Sequence, residues 1–341
     1  MTDPTHMRRE IEEIPAAVAT LLDGQHDAFA ALGAALRDRD PAVLVTIGRG
    51  SSDHAATYFK YAAERLARRP VASVGPSIAS IYGIDLMLAG AAAIAISQSG
   101  KSPDLVAMME SAHRGGALGV AITNDPTSPL AAVSDHVIDI GAGVERSVAA
   151  TKTFVASIVA GLAVLAHWKG DTELLRALTS LRKGLTDASN LDWSPLSDAF
   201  DRPSAYVLGR GPGVAIAAEA ALKFKETSGL HAESYSTAEV LHGPSAIVRN
   251  GFPVLVFAAD DPSLPSVRET AKKLADQGGS VFIAGTESPG CTGLPTVSTG
   301  HPLTDPLAQI VSFYGFVEAF SRARGHDPDR PPHLNKVTAT Q

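Results

Sequence analysis

A short apolar run that ends in Gly-Arg-Gly and leads into a helix-like segment occurs twice in this chain. It stands as Ile47-Gly48-Arg49-Gly50 and again as Leu208-Gly209-Arg210-Gly211, an offset of 161 residues (209 − 48). A second set of features repeats behind it. Ile94–Ser97, a helix over Leu105–Arg114, Gly115-Gly116 and Val120–Thr123 match Val254–Phe257, a helix over Val267–Gln277, Gly278-Gly279 and Val281–Ala284, at offsets of 160 and 163 (254 − 94, 278 − 115). A repeat this long means a duplicated domain and not a solenoid of small units. Within each copy, continuous apolar runs of four to six residues alternate with helical stretches, which is the pattern of a parallel sheet buried on both faces. The fold class expected is therefore α/β, with two tandem domains of one design.

The first copy supplies strands at Ala42–Ile47, Val71–Val74, Ala91–Ile96, Leu118–Thr123 and His136–Ile140, and helices at about Ser52–Arg68, Pro103–Arg114 and Thr151–His167. Ahead of it, residues 7–39 carry Ile11, Ile14, Val18, Leu21 and Leu22 at helical spacing. Pro15 argues for a break or a helix start within that segment. Residues 169–201 read as a polar helical connector. Pro302–Ala323 is a closing helix, and the Pro-rich end GHDPDRPPHLNKVTATQ is disordered by default. The expected layout is 1–40 N-terminal helices, 41–168 first α/β domain, 169–201 connector, 202–325 second α/β domain and 326–341 tail.

Composition excludes several classes. Of 341 residues, 45% are hydrophobic and 19% charged, an ordinary globular balance, and a formal net charge of −7 leaves no electrostatic footprint for nucleic acid. Cys291 is the single cysteine, so an internal disulfide and a Cys-rich metal site are excluded. The N-terminus has no apolar signal region, and the longest apolar runs, Leu86–Ile96 and Phe154–Ala166, are too short to span a bilayer. A cytoplasmic protein with no membrane partner is expected.

The duplicated halves differ where chemistry is concerned. The third strand of the first half runs into Ser97-Gln98-Ser99-Gly100-Lys101-Ser102-Pro103-Asp104, with Pro103 suited to the first helical turn and Ser102 to the N-cap. Hydroxyls, a glycine and a lysine at a helix N-terminus, at the carboxyl end of a parallel strand, favour a phosphate group. The matching turn in the second half, Ala258-Ala259-Asp260-Asp261-Pro262, carries two carboxylates and would repel one. Gly48-Arg49-Gly50-Ser51-Ser52-Asp53 lacks the third glycine of a dinucleotide fingerprint, so no nicotinamide cofactor is expected, while Ser51 and Ser52 can add hydroxyls to a sugar-phosphate pocket.

The second half carries acid/base groups in 217–244, read as a helix, a break and then a loop or second helix ending in His242-Gly243-Pro244. With Glu219 at zero and about 100° per residue, Lys223 falls near about +40° and Glu226 near about −20°, on one face; Ala217, Ala220, Ala221 and Phe224 lie opposite. The plain alternative is a solvated face with an i,i+4 ion pair. A carboxylate, an amine and an imidazole that converge can move protons on a carbonyl compound. His231, Glu233, Glu239 and His242 include a Glu-x-x-His pair, too weak a pattern to assign a metal, and none is expected.

Six motifs in order carry a resemblance: Ser97-Gln98-Ser99-Gly100, Glu145 to Phe154 (ERSVAATKTF), Ala221 to Glu226 (ALKFKE), His231-Ala232-Glu233, His242-Gly243-Pro244, and Asn335-Lys336-Val337-Thr338. From about residue 40 to 338 the chain resembles the SIS (sugar isomerase) domain family, in the form of two tandem SIS domains. The resemblance implies an isomerising enzyme on an amino-sugar phosphate, foremost a glucosamine-6-phosphate deaminase, with no cofactor. Relatives that also hydrolyse glutamine use an N-terminal cysteine; none stands near this N-terminus, so that activity is not expected. Ala150 stands where those relatives usually carry serine, with one hydroxyl contact fewer. By the same resemblance Ser52, Ser97, Gln98, Ser99 and Ser102 hold the phosphate and nearby hydroxyls, and Val148 and Ala150 line the sugar through backbone groups. Glu226 carries a proton between C1 and C2, Lys223 polarises or bonds to C2, and Lys336 closes over the site. His242 opens the sugar ring and is presented by the other subunit of a homodimer. The alternatives are an isomerase or deglycase on another substrate, such as a fructosamine 6-phosphate, and a non-catalytic sugar-phosphate sensor.

Overall fold

The computed structural model describes residues 3–336. In chain order the elements are α1 (His6–Gly24), α2 (His26–Arg39), β1 (Leu44–Ile47), α3 (Ser51–Leu66), β2 (Val71–Ser73), α4 (Ser77–Ser80), β3 (Ala92–Ser97), α5 (Pro103–Arg114), β4 (Leu118–Thr123), α6 (Pro129–Ala132), β5 (His136–Asp139), α7 (Lys152–Lys169), α8 (Thr172–Ala188), α9 (Leu196–Phe200), β6 (Ser204–Gly209), α10 (Gly213–Ser228), β7 (His231–Ser236), β8 (Pro253–Phe257), α11 (Leu264–Asp276), β9 (Ser280–Ala284), β10 (Thr292–Leu294) and α12 (Asp305–Ala323). Two 3-10 turns, Glu239–His242 and Pro244–Ile247, lie between β7 and β8.

Both sheets have five strands, all parallel, in the orders β2-β1-β3-β4-β5 and β10-β9-β8-β6-β7. Counted from its own first strand and read from the other edge, the second order is the same as the first. The register repeats too: Leu44 pairs with Val71 in one sheet, and Ala205 with Ala232, each 161 residues on, in the other. The duplication read from the glycine turns is thus a duplication of topology. Gly48 and Gly209, also 161 apart, close the strand-to-helix turn in each copy. A Cβ on Gly209 would come within 2.1 Å of the Gly213 carbonyl oxygen, and one on Gly48 within 3.0 Å of the Asp53 backbone.

The chain forms two compact units. One holds the first sheet and comprises Ala16–Glu145, Lys152–Thr179 and residues 335–336. Its core is built on α7, buried along nearly its whole length, and on the apolar strands, with Met108, Met109 and Leu105 of α5 packed against Val45, Ile47 and Ala95. The other holds the second sheet and comprises residues 3–15, Arg146–Thr151 and Ser180–Leu334. Here α12 packs on α10 through an aromatic cluster. Phe224 lies 5.0 Å from Phe313 and 5.2 Å from Phe200, ring centre to ring centre.

Two expectations are corrected. Pro15 neither breaks nor starts a helix; it sits inside α1. The missing hydrogen bond costs about 3 kcal/mol, but Ile11, Ile14, Val18 and Leu21 on the same stripe are all buried, at about 1.5–3 kcal/mol each. Second, the stretch after α10 opens as neither loop nor helix but as the edge strand β7, and only then reaches the 3-10 turn Glu239–His242 before Gly243-Pro244. The residues of β7, HAESYS, are too polar for the apolar-run criterion because the strand is only half-buried. At the tail the default of disorder gives way, in line with the role that the resemblance implies for Lys336: Asp329 accepts the backbone N–H groups of His6 and Met7 at 2.7 and 2.8 Å. Val337 and Thr338 of the last motif lie outside the described residues. Among the described residues no helix is long and apolar enough to cross a membrane.

Candidate active site

In the first-sheet unit, β1 and β3 are neighbours, and their carboxyl ends carry the residues assigned to phosphate. With strand order 2-1-3-4-5, the connections from β1 and β3 leave in opposite directions, and a crevice opens where they part. Ser97 ends β3, is 6% exposed, and its Oγ accepts the Gly100 N–H at 3.1 Å. Ser99 Oγ accepts the Lys101 N–H at 3.3 Å. Gly100 has φ +62°, and a Cβ there would come 2.1 Å from Ser128 Oγ, so the turn requires glycine. The Gln98 carbonyl accepts the Asn124 N–H at 3.1 Å. Ser102 is the N-cap of α5 with Pro103 behind it, as expected, yet its side chain makes no cap hydrogen bond. Ser52 stands in the first turn of α3, which follows β1.

The two cations near this turn are already engaged. Lys101 Nζ lies 3.1 Å from Asp125 Oδ2, so the lysine counted toward the phosphate site is paired elsewhere. Arg49 Nε and Nη2 each lie 3.0 Å from Oδ2 of Asp104, which is fully buried in the first turn of α5. The turn therefore offers hydroxyls, backbone N–H groups and a helix N-terminus to an anion.

In the second-sheet unit, the solvated-face alternative for α10 does not hold. Glu219 and Lys223 are fully buried. Lys223 Nζ lies 3.1 Å from Glu219 Oε1 and 2.5 Å from Glu226 Oε2, and Tyr314 of α12 donates its hydroxyl to Glu219 Oε1 at 3.1 Å. Burial opposes the charge on Lys223, but the two carboxylates outweigh it and raise its pKa above the ordinary lysine value. The amine is therefore an ammonium with no free lone pair. Glu226, with 19% of its side chain exposed, is the member of the three that solvent reaches. Glu219 and Tyr314 were not assigned to the site from sequence. Glu219 was visible on the wheel, but its burial depends on α12, and its partner lies 95 residues away in sequence. The matching positions in α3, Tyr58, Ala62 and Arg65, carry no such triad.

His242 closes a 3-10 turn and is exposed. Among the described residues its ring makes no hydrogen bond to Lys223 or Glu226. Val148 and Ala150 lie in Arg146–Thr151, the short segment that belongs to the second-sheet unit. Lys336 belongs to the first-sheet unit, where its Nζ lies 2.8 Å from Oε2 of fully buried Glu145. Thr153 donates its N–H and hydroxyl to the same carboxylate at 3.1 and 2.7 Å. Burial opposes that charge, but Lys336 and Thr153 outweigh it and hold the Glu145 carboxyl below its ordinary value. Among the described residues no group of three or more His, Cys, Asp or Glu side chains is placed to hold a metal ion. Burial raises the pKa of the Cys291 thiol, against nucleophilic use.

The model of the SIS domain matches residues 39–167 and 200–291. The glutamine–fructose-6-phosphate aminotransferase (isomerizing) of Pyrobaculum aerophilum is 32% identical over 356 residues, covering 99% of this chain and 58% of that protein. The chain thus spans a little over half the length of the curated relatives it matches. A crystal structure from Silicibacter pomeroyi DSS-3 that carries the name of a phosphosugar isomerase is 56% identical, with a TM-score of 0.92 over 96% of this chain and 100% of that one. The glucosamine-6-phosphate deaminase of Thermotoga maritima shares the fold, with a TM-score of 0.81 at 19% identity over 98% of this chain and 100% of that one.

Proposed function

This chain belongs to the SIS domain family, and from that premise we propose that it isomerises an amino-sugar phosphate, converting glucosamine 6-phosphate and water to fructose 6-phosphate and ammonia. The observation that carries the reading is the buried Glu219–Lys223–Glu226 triad, in which one carboxylate, Glu226, keeps part of its side chain open to solvent. The turn Ser97–Ser102 supports recognition of the phosphate.

The chemistry balances without an external oxidant. His242 assists opening of the sugar ring to the C1 aldehyde. Glu226 removes the C2 proton, giving an enol-type intermediate, and returns it to C1. C1 is reduced to the alcohol level while C2 is oxidised to an imine, and water replaces the nitrogen at C2 and releases ammonia. The Lys223 ammonium positions Glu226 and stabilises negative charge that develops beside it. With its pKa raised, it is better suited to this than to forming an imine with C2. Lys336, held by Glu145 in this structure, is the tail residue that closes over bound sugar. In a homodimer the exposed His242 serves the site of the other subunit.

A second reading, isomerisation of a different phosphosugar, is favoured by the 56% identity to the Silicibacter protein. An ammonia-release assay across amino-sugar 6-phosphates, with an aldose–ketose assay alongside, separates the two. Deamination requires ammonia and fructose 6-phosphate in equal amounts from glucosamine 6-phosphate, abolished in Glu226→Gln. Isomerisation of other sugar phosphates with no ammonia from glucosamine 6-phosphate selects the second reading.

A further inference from the structure

Segment Arg146–Thr151 belongs to the second-sheet unit, although the residues before and after it, Glu145 and Lys152, belong to the other. What holds it is a carboxylate far away in sequence. Glu10 of α1 is 4% exposed. Its Oε1 accepts the Arg146 N–H in a short hydrogen bond, and Oε1 and Oε2 share the Ser147 N–H at 3.3 Å each. The Ser147 hydroxyl donates to the Pro328 carbonyl at 3.4 Å. The next residue, Asp329, caps the first turn of α1 through the N–H groups of His6 and Met7, so the helix that carries Glu10 is itself fixed. Charge-assisted bonds to backbone N–H groups are about twice as strong as neutral ones, and two successive amides held by one carboxylate leave the following residues little freedom.

We propose that Glu10 is a positioning residue for the sugar-binding loop: it fixes the backbone of Arg146 and Ser147 so that Val148 and Ala150 present their main-chain groups to the substrate. The proposal rests on the phosphosugar reading given above. Glu10 touches no reacting atom; its effect is on how well the sugar is held.

The test uses the full chain and two variants, Glu10→Ala and Glu10→Gln, with two readouts. Amide hydrogen exchange over a peptide spanning 144–151 needs no substrate. Glu10→Ala is expected to exchange there about tenfold faster or more, and Glu10→Gln, which keeps one acceptor oxygen, to recover part of the protection. The second readout is kinetic: KM for glucosamine 6-phosphate rises about tenfold in Glu10→Ala while kcat changes less than about threefold. Unchanged exchange at 146 and 147 in Glu10→Ala overturns the proposal, as does faster exchange with KM unaltered. A wild-type chain that neither binds nor turns over any sugar phosphate removes the functional reading instead, and the exchange readout still decides whether Glu10 holds the loop.

Discussion

Lys223 and Glu219 form an ion pair of 3.1 Å in which both side chains are fully buried, one helical turn apart on α10. Such a pair is costly to break from one side, because the remaining charge is stranded without water. Lys223→Met leaves Glu219 with the Tyr314 hydroxyl and no ammonium, and is expected to lose about 3–5 kcal/mol of stability, read as a shift of the urea midpoint. The pH dependence has a definite sign. Because the folded-state pKa of Lys223 is raised, its contribution is fully present below the ordinary lysine value of about 10.4 and is lost only as pH rises through the higher folded value. The destabilisation by Lys223→Met is therefore expected to be constant from pH 6 to 9. A marked fall across that range would mean that the amine is not held as an ammonium.

Glu226 differs from its two partners in being partly exposed, so its replacement separates activity from stability. Glu226→Gln removes the proton carrier and keeps the side chain's shape. A drop in kcat of about 10²–10⁴-fold, with little change in KM and a small change in unfolding free energy, is the expected outcome. Loss of the substrate C2–H exchange with solvent deuterium, followed by NMR, is the direct readout. Retention of that exchange would remove Glu226 from the proton path.

The duplication was legible because it rests on backbone necessity. Gly48 and Gly209 recur at one offset, and the register at the strands repeats with them. Strands buried on both faces were also legible, since Ala91–Ile96 and Val254–Phe257 are continuous apolar runs that fall on β3 and β8. The edge strand β7 was not, because its half-solvated residues carry no apolar run; yet β2 at Val71–Ser73, moved by 161 residues, falls inside it. The site was half legible. Helical spacing set Glu219, Lys223 and Glu226 on one face, but spacing cannot distinguish a face turned to water from one sealed by a distant helix. Tyr314, Glu10 and the Lys101–Asp125 pairing are all long-range contacts of that kind.

Lys336 and Glu145 give a second pH-dependent prediction, of opposite sign. The Glu145 carboxyl is held below its ordinary value. Its contribution is present above about pH 4.3, the unperturbed glutamate value, and is lost as pH falls through the lower folded value. Lys336→Met removes the main compensating charge from a fully buried carboxylate and is expected to cost about 1–3 kcal/mol at neutral pH. The gap between wild type and variant should close in acid. Urea titrations at pH 7, 5 and 3 measure it, and a gap that persists unchanged at pH 3 would assign the effect to packing.

The phosphate turn is best tested by contrasting two neighbours in it. Ser102 caps α5 by position only, since its side chain makes no cap hydrogen bond; Ser102→Ala therefore costs little stability. If its hydroxyl serves the ligand, the dissociation constant for fructose 6-phosphate rises about three- to tenfold. Gly100 is the converse case. It sits at φ +62°, with Ser128 Oγ only 2.1 Å from where a Cβ would lie, so Gly100→Ala must move the turn. That substitution is expected to cost about 1–3 kcal/mol and to weaken the same ligand, because the Ser97 Oγ to Gly100 N–H bond that shapes the turn is displaced. Calorimetric binding with urea unfolding in parallel distinguishes the two. Ser102→Ala should move binding alone and Gly100→Ala both, whereas equal binding in all three chains would place the phosphate elsewhere.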